Sequence, residues 1–196
     1  VTLDGIEPVF DAADAIRVGN DVFVLHSHTC NKLGFEWLQR QLARRGVRCH
    51  LVHMPTIHNP SHIDASVLPL RPPSDASPGL VLVCPLVAEC ELVKLFERNN
   101  WEVLLCPDPD IDPVADPAYR GKSGKWINLN ILSLDHNTVV VADHDVSLIK
   151  VLEARGFECI AIPFQNVIEF GGGLHCATAD IRRAGPRQDY FPSLLI

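Results

Sequence analysis

The chain has 196 residues, 47% of them apolar, enough for one domain with a sizeable core or for a large piece of a bigger one. A formal net charge of -7 without a basic cluster argues against nucleic acid and favours a cationic small molecule. No apolar run approaches the roughly 20 residues that cross a bilayer, so no membrane span is expected. The opening VTLDGIEPVF lacks the regions of a signal peptide and does not begin with Met. The expected location is therefore the cytoplasm, or the mitochondrion where a transit segment has been removed. The seven cysteines form no CxxC pair, which speaks against structural zinc. Cys30, Cys49, Cys84, Cys90, Cys106 and Cys159 read as buried or half-buried thiols of a reducing compartment.

In chain order, AIRVG and DVFVLHS are two strands joined by a tight turn at Gly19 to Asp21. LGFEWLQRQLARRG places Leu33, Trp37, Leu38 and Leu42 at helical spacing, and the strand VRCHLVHM follows. The same order recurs. IDASVLPL and GLVLVCP are strands, ECELVKLFERNN an amphipathic helix, and WEVLLCP a strand. A third copy comprises WINLNILSL, TVVVAD, the helix VSLIKVLEARG and the strand FECIAIPF. The helices centre near Leu38, Lys94 and Lys150, a period of about 56 residues. Repeats over approximately 15–54, 63–106 and 127–162, then a strand over 171–183, form one domain portion spanning 1–196. Repetition of ββαβ units suggests blades around an axis, with a site where the blade ends meet. Two Pro-rich segments interrupt the pattern, RPPSDASPG as a solvated insertion and PDPDIDPVADPAYRGKSGK as a connector or a lid.

FGGGLHCATADI, residues 170–181, ends a helix with three glycines and then presents Cys176, preceded by His175. The glycines permit backbone closed to other residues and the close approach of a planar group. A nucleophilic cysteine needs a base, a group that orients the base, and a grip on the electrophile. HIDAS offers His62 and Asp64, which share a face if the segment is extended. Those letters by themselves favour a surface loop histidine beside a capping or turn aspartate. FDAADAIR offers Asp11, either to orient a histidine or as an N-cap, and Asp14, either at the substrate or paired with Arg17. A rival metal site could be built from His26, His28, His50, His53, His58 and His62, but no HExxH helix supports it, and no metal or cofactor is expected.

Taken together, EPVFDAADAIRVGNDVF, the NKLG and EWL letters, HIDAS, the KW-x-N-x-N-x-L-x-LD segment, GGG-x-HC-x-T-x-DI-RR and the closing DYF resemble the arginine amidinotransferases of the guanidino-group-modifying superfamily. The resemblance implies an α/β fold, a pseudosymmetric, pentein-like propeller of ββαβ blades, with about three of five blades in this chain. It further implies transfer of the amidino group of L-arginine to an amine acceptor without a cofactor. Cys176 is then the nucleophile, His62 the general acid and base, and Asp11 the acid that orients it. Asp64, Asp14 and Ser123 are the implied substrate contacts. CPLVAEC lacks an arginine with which the family's glycine-directed members engage a substrate carboxylate, so glycine is not implied as the acceptor. The other functional readings are a deiminase-like hydrolase using the same residues and a non-catalytic binding subunit. A chain with three repeats is expected to associate with missing N-terminal blades or with another copy of itself.

Overall fold

The computed structural model describes residues 6–55, 62–112, 124–168, 170–183 and 187–195. Three units of the same design follow one another. The first contains β1 (Ala15–Val18), β2 (Asp21–Leu25), α1 (Lys32–Ala43) and β3 (Arg48–Val52). The second contains β4 (Val67–Arg71), β5 (Gly79–Val83), α2 (Glu91–Arg98) and β6 (Trp101–Leu105). The third contains β7 (Leu132–Ser133), β8 (Thr138–Ala142), α3 (Val146–Glu153) and β9 (Glu158–Ile162), followed by the short α4 (Gln165–Ile168). Each unit has its own three-stranded sheet in sequence order. The first pair is antiparallel and the second parallel in all three. A helix crossover is what a parallel pair requires, which is why each helix falls between its second and third strands.

The period-2 rule of strands explains how the units pack. All five residues of β2 are buried. Val22 and Val24 belong to a small cluster with Phe35, Val47 and Cys49 around α1, whereas Phe23 and Leu25 enter the main core. That core draws on all three units, running from Ile16 through Leu82 and Phe96 to Val141 and Leu152. β9 is an outer strand of its sheet and none of its residues is buried.

Residues near the C-terminus fasten onto the first unit. Arg48 sets two nitrogens on the buried Asp21, at 2.7 and 2.6 Å, and reaches Asp189 at 2.5 Å. His50 Nε2 lies 2.7 Å from the same Asp21 carboxylate. Burial acts to raise that carboxyl, but the hydrogen bonds and positive charges of His50 and Arg48 outweigh it and hold it below the usual range. Beyond Asp189, Phe191 is wholly buried against Phe23, Phe96 and Trp101.

Several local expectations are corrected. WINLNILSL is a 3-10 turn at Ile127–Leu129 followed by only two strand residues, because Asn128 and Asn130 turn inward to bond loop carbonyls. Residues 171–183 are turns rather than a strand. Gly171 and Gly172 have φ of 87° and 91°, and Ala177 N–H donates to the Gly173 carbonyl while Thr178 N–H donates to that of His175. Ile63–Ala65 is likewise a 3-10 turn, so the extended geometry assumed for HIDAS does not hold.

Candidate active site

Three segments converge where β1 and β4 begin. The segment carrying Asp11 is positioned by the NKLG letters of the first helix. Asn31 caps α1 by accepting from Gly34 N–H at 2.8 Å and also holds the strap before it, accepting from Val9 N–H and donating to the Glu7 carbonyl. A side chain at Gly34 would fall on the Val9 backbone, so the strap can cross the helix only over a glycine. Asp11 then uses its two oxygens differently. Oδ1 accepts from Ala13 N–H at 3.1 Å, and Oδ2 lies 3.8 Å from His62 Nε2. The N-cap and the histidine partner are thus the same carboxylate.

His62 is the N-cap residue of the 3-10 turn 63–65, but its side chain makes no cap bond. Its Nε2 is buried and has no hydrogen-bond partner among the described residues. Asp64, one turn further, is 2% exposed. Its Oδ2 faces His175 Nδ1 at 2.8 Å and accepts from Cys176 Sγ at 3.5 Å, whereas its Oδ1 is buried without a partner among the described residues. Burial acts to raise the Asp64 carboxyl; the hydrogen bond and charge of His175, with help from Asn130 and Cys176, lower it below the usual range. The fold's contribution from this pair is therefore present above the ordinary carboxylate pKa and is lost as pH falls through the lowered value.

Asn130 joins the cysteine turn to the histidine turn. Its Oδ1 accepts from Cys176 N–H at 3.0 Å, its Nδ2 donates to the Asp64 carbonyl at 3.2 Å, and its own carbonyl accepts from His175 N–H at 3.1 Å. The glycines make the approach possible. A Cβ on Gly173 would sit 2.8 Å from Asn130, and one on Gly172 would sit 2.8 Å from the Cys176 Cβ and 3.1 Å from its sulfur. The room expected for a planar ligand beside these glycines is taken by Cys176 and Asn130 themselves. Cys176 is exposed as a residue, alone among the seven cysteines, all of which are free. Its sulfur, however, is set back beside Asp64. Partial burial and then the Asp64 charge push the thiol up, more than the Gly173 and Asn130 contacts bring it down.

The structure therefore brings Cys176 to Asp64 and His62 to Asp11. Asp14 requires a correction. It is fully buried, with its oxygens accepting from Ser27 and Thr29 hydroxyls at 2.8 and 2.7 Å, so it buttresses β1 and has no surface for a substrate. Arg17, its other candidate partner, donates to the Gly19 carbonyl. Ser123 and His58 lie outside the described residues. The rival histidine set disperses. His26 and His53 face each other with ring centroids 5.4 Å apart, His50 bonds Asp21, and no group of three His, Cys, Asp or Glu among the described residues could hold a metal ion. No helix among the described residues is long and apolar enough to cross a membrane. His175 and Asn130 are the site residues whose roles the sequence reading did not assign. His175 carried a signal in its position beside the sulfur, whereas Asn130 was absorbed into an expected strand.

Successive small α/β units of this kind are the class of fold found in dimethylarginine dimethylaminohydrolase. The enzyme of that name from Pseudomonas aeruginosa superposes with a TM-score of 0.63 at 12% identity, over 86% of this chain and 54% of that one, a likeness of fold alone. Within that class the chain is a relative of the amidinotransferases. It is 40% identical over 185 residues to the L-arginine:L-lysine amidinotransferase of Pseudomonas savastanoi pv. phaseolicola, covering 94% of this chain and 47% of that protein. It is 38% identical to the mitochondrial glycine amidinotransferase of Xenopus laevis, covering 94% of this chain and 41% of that one. A saxitoxin-pathway amidinotransferase from Microseira wollei superposes with a TM-score of 0.78 at 35% identity, over 96% of this chain and 52% of that one. The chain thus spans about half the length of the relatives it matches. No protein-family model matches it.

Proposed function

We propose that this chain carries the nucleophile-bearing part of an arginine-dependent amidinotransferase. The observation that carries the reading is Asp64, whose Oδ2 contacts the Cys176 sulfur while its Oδ1 is buried without a partner among the described residues, two residues from His62, whose Nε2 faces Asp11. A guanidinium ion suits that carboxylate, because its N–H fork supplies donors to Asp64 and its charge offsets the field that holds the Cys176 proton. The arginine in the name of the Pseudomonas savastanoi relative supports arginine as the donor.

The steps follow from the chemistry of each group. The Cys176 thiol passes its proton to His62 and the thiolate attacks the amidino carbon, forming a tetrahedral adduct. His62, oriented by Asp11, protonates the departing nitrogen, so the carbon–nitrogen bond breaks, ornithine leaves and an S-amidino-cysteine remains. The acceptor amine then loses a proton to His62, attacks the same carbon and expels the thiolate. The cycle returns every proton and needs no oxidant, metal or cofactor. Asp64 fixes the cationic group throughout, and exclusion of water directs the intermediate to an amine rather than to hydrolysis. Ser123 enters as a substrate contact through the family resemblance alone.

Residues 1–196 are read here as one portion of a catalytic domain, its three units standing as three blades of a five-bladed α/β propeller. Further blades come from the remaining half of such a protein or from another copy. The outer strand β9 with Ile160 40% exposed, and Leu134 at 48%, supply apolar edge for that contact. Sedimentation of the isolated chain is expected to show association; a monodisperse monomer with a cooperative melt would refute it.

The activity is tested by intact mass after incubation with L-arginine in the absence of an acceptor. An amidino adduct on the wild-type chain, missing from Cys176→Ala, is expected, with ornithine released in equal amount. Citrulline in place of the adduct would move the assignment to a hydrolase. Silence of both the chain and its reconstituted assembly would leave a binding subunit.

A further inference from the structure

Behind the cysteine turn lies a cavity of about 20 Å³, room for one water-sized species, with largely apolar walls broken by a few polar groups. Asn130 and Gly173 of the site described above also line it, and Asn128, His144 and Asp145 supply its other polar lining among apolar residues such as Ile127, Ile131 and Phe164. Those three residues take no part in the proposed amidino transfer.

Two of these groups, on Asn128 and His144, hold buried acceptors without donors among the described residues, and the third is a buried carboxylate. Asp145 is 4% exposed and stands at the N-cap of α3, yet its carboxylate accepts no capping bond. Asn128, 5% exposed, directs its amide nitrogen to the Pro107 carbonyl at 3.1 Å, which leaves Oδ1 buried and unpartnered among the described residues. His144 Nδ1 is also buried without a hydrogen bond, 3.7 Å from Asp143. Burial raises the Asp145 carboxyl to about 6, with His144 drawing it down and Asp110 and Asp143 pushing it further up. The nearby Cys106 thiol is raised as well, by burial first and then by Cys84 and Asp145, more than a hydrogen bond from the Asn128 side chain brings it down, so it offers the carboxylate no counter-charge. Such a set is costly unless something fills it.

The chemistry of the wall selects the occupant. A water has two protons for three acceptors and brings no charge to offset the carboxylate. A metal ion finds only one carboxylate and one imidazole here, and no group of three protein ligands of that kind exists among the described residues. An ammonium nitrogen brings three or four N–H donors and a positive charge in the volume of one water. We propose that this cavity is an ammonium-binding site, in which Asp145, Asn128 Oδ1 and His144 Nδ1 accept from a free ammonium ion or from the head of a primary amine. The inference does not depend on the amidinotransferase reading, and its test involves no turnover.

The test is thermal unfolding of the intact chain near neutral pH, with ammonium, methylammonium, potassium or tetramethylammonium chloride at matched ionic strength. Ammonium is expected to raise Tm saturably, whereas tetramethylammonium, which has no N–H, is expected to do nothing. In Asp145→Asn the half-saturating ammonium concentration should rise at least tenfold, while the Tm without ammonium rises because a desolvated buried carboxylate is gone. A matching response to methylammonium identifies an amine head group; response to ammonium alone identifies the free ion; either supports the site. Equal shifts with potassium or tetramethylammonium, or an undiminished response in Asp145→Asn, would overturn it. Should that variant fail to fold, the wild-type chain decides by NMR with nitrogen-15-labelled ammonium, where absence of a bound, exchange-protected signal refutes the proposal.

Discussion

Asp64→Asn is expected to drive two assays of Cys176 in opposite directions. Alkylation by neutral iodoacetamide near pH 7 should become faster by about tenfold, while formation of the amidino adduct from arginine should fall by roughly 10²–10³-fold. The first expectation follows from the field at sulfur. Asp64 raises the thiol through its charge and again as the acceptor of the Sγ proton at 3.5 Å, so removing the charge increases the thiolate fraction. The second follows from the same charge acting on the substrate. The unpartnered Oδ1 offers a guanidinium group a buried anionic acceptor, and an asparagine amide turned towards a cation offers none of that charge. Loosening of the turn would also expose the thiol and speed alkylation, so the charge reading requires in addition that the Cys176 amide, which donates to Asn130 Oδ1, keeps its protection from hydrogen exchange in Asp64→Asn. His175→Asn provides the control. It keeps Asp64 but removes the imidazole 2.8 Å away, so Asp64 should titrate closer to its ordinary range. Slowed alkylation together with slowed adduct formation in Asp64→Asn would refute this account of the site.

Much of this arrangement was legible before any coordinates, for reasons that differ between elements. The helices at Leu38, Lys94 and Lys150 announced themselves because each buries one face, and α2 does so with Leu92, Val93 and Phe96. Buried strands such as β2 and β5 read clearly as short apolar runs between turn residues. Asp11, His62, Asp64 and Cys176 could be proposed because nucleophilic chemistry demands their residue types, and the family resemblance then ordered them. Two kinds of feature could not be read in this way. Residues 171–183 stand where a further strand is expected after the third repeat, yet left-handed glycines and the carbonyls of Gly173 and His175 turn the chain there instead. Asn128 and Asn130 looked like polar positions on a strand face. Their actual partners, Pro107 and the Asp64–Cys176 turns, lie 21, 66 and 46 residues away in sequence, and only the packed units bring them together. The same distance hid the cavity at Asp145. Its interest arises from bonds that are missing, which no local pattern encodes.

Phe191→Ala is expected to cost about 3–5 kcal/mol, a large share of the roughly 5–15 kcal/mol that holds a domain together, and to lower Tm by roughly 10 °C. The ring is 0% exposed and touches both the first and second units: it meets Phe23 edge-on at 5.1 Å and Phe96 at 5.2 Å, and lies parallel to Trp101 at 6.2 Å. Truncation would leave a void walled by three aromatic rings that cannot collapse without moving β2 against α2. Asp189→Ala tests the polar half of the same anchor and should cost far less, because that pair is partly exposed and Arg48 retains Asp21. Consequences for the site follow from the same geometry. Asp11 belongs to the first unit and His62 opens the second, and their 3.8 Å approach depends on how those units are held. Phe191→Ala should therefore impair the adduct reaction at temperatures well below its own melting point, although Phe191 has no part in the chemistry. A variant that melts within about 1 kcal/mol of the wild type would show that the C-terminal anchor decorates the core rather than closing it.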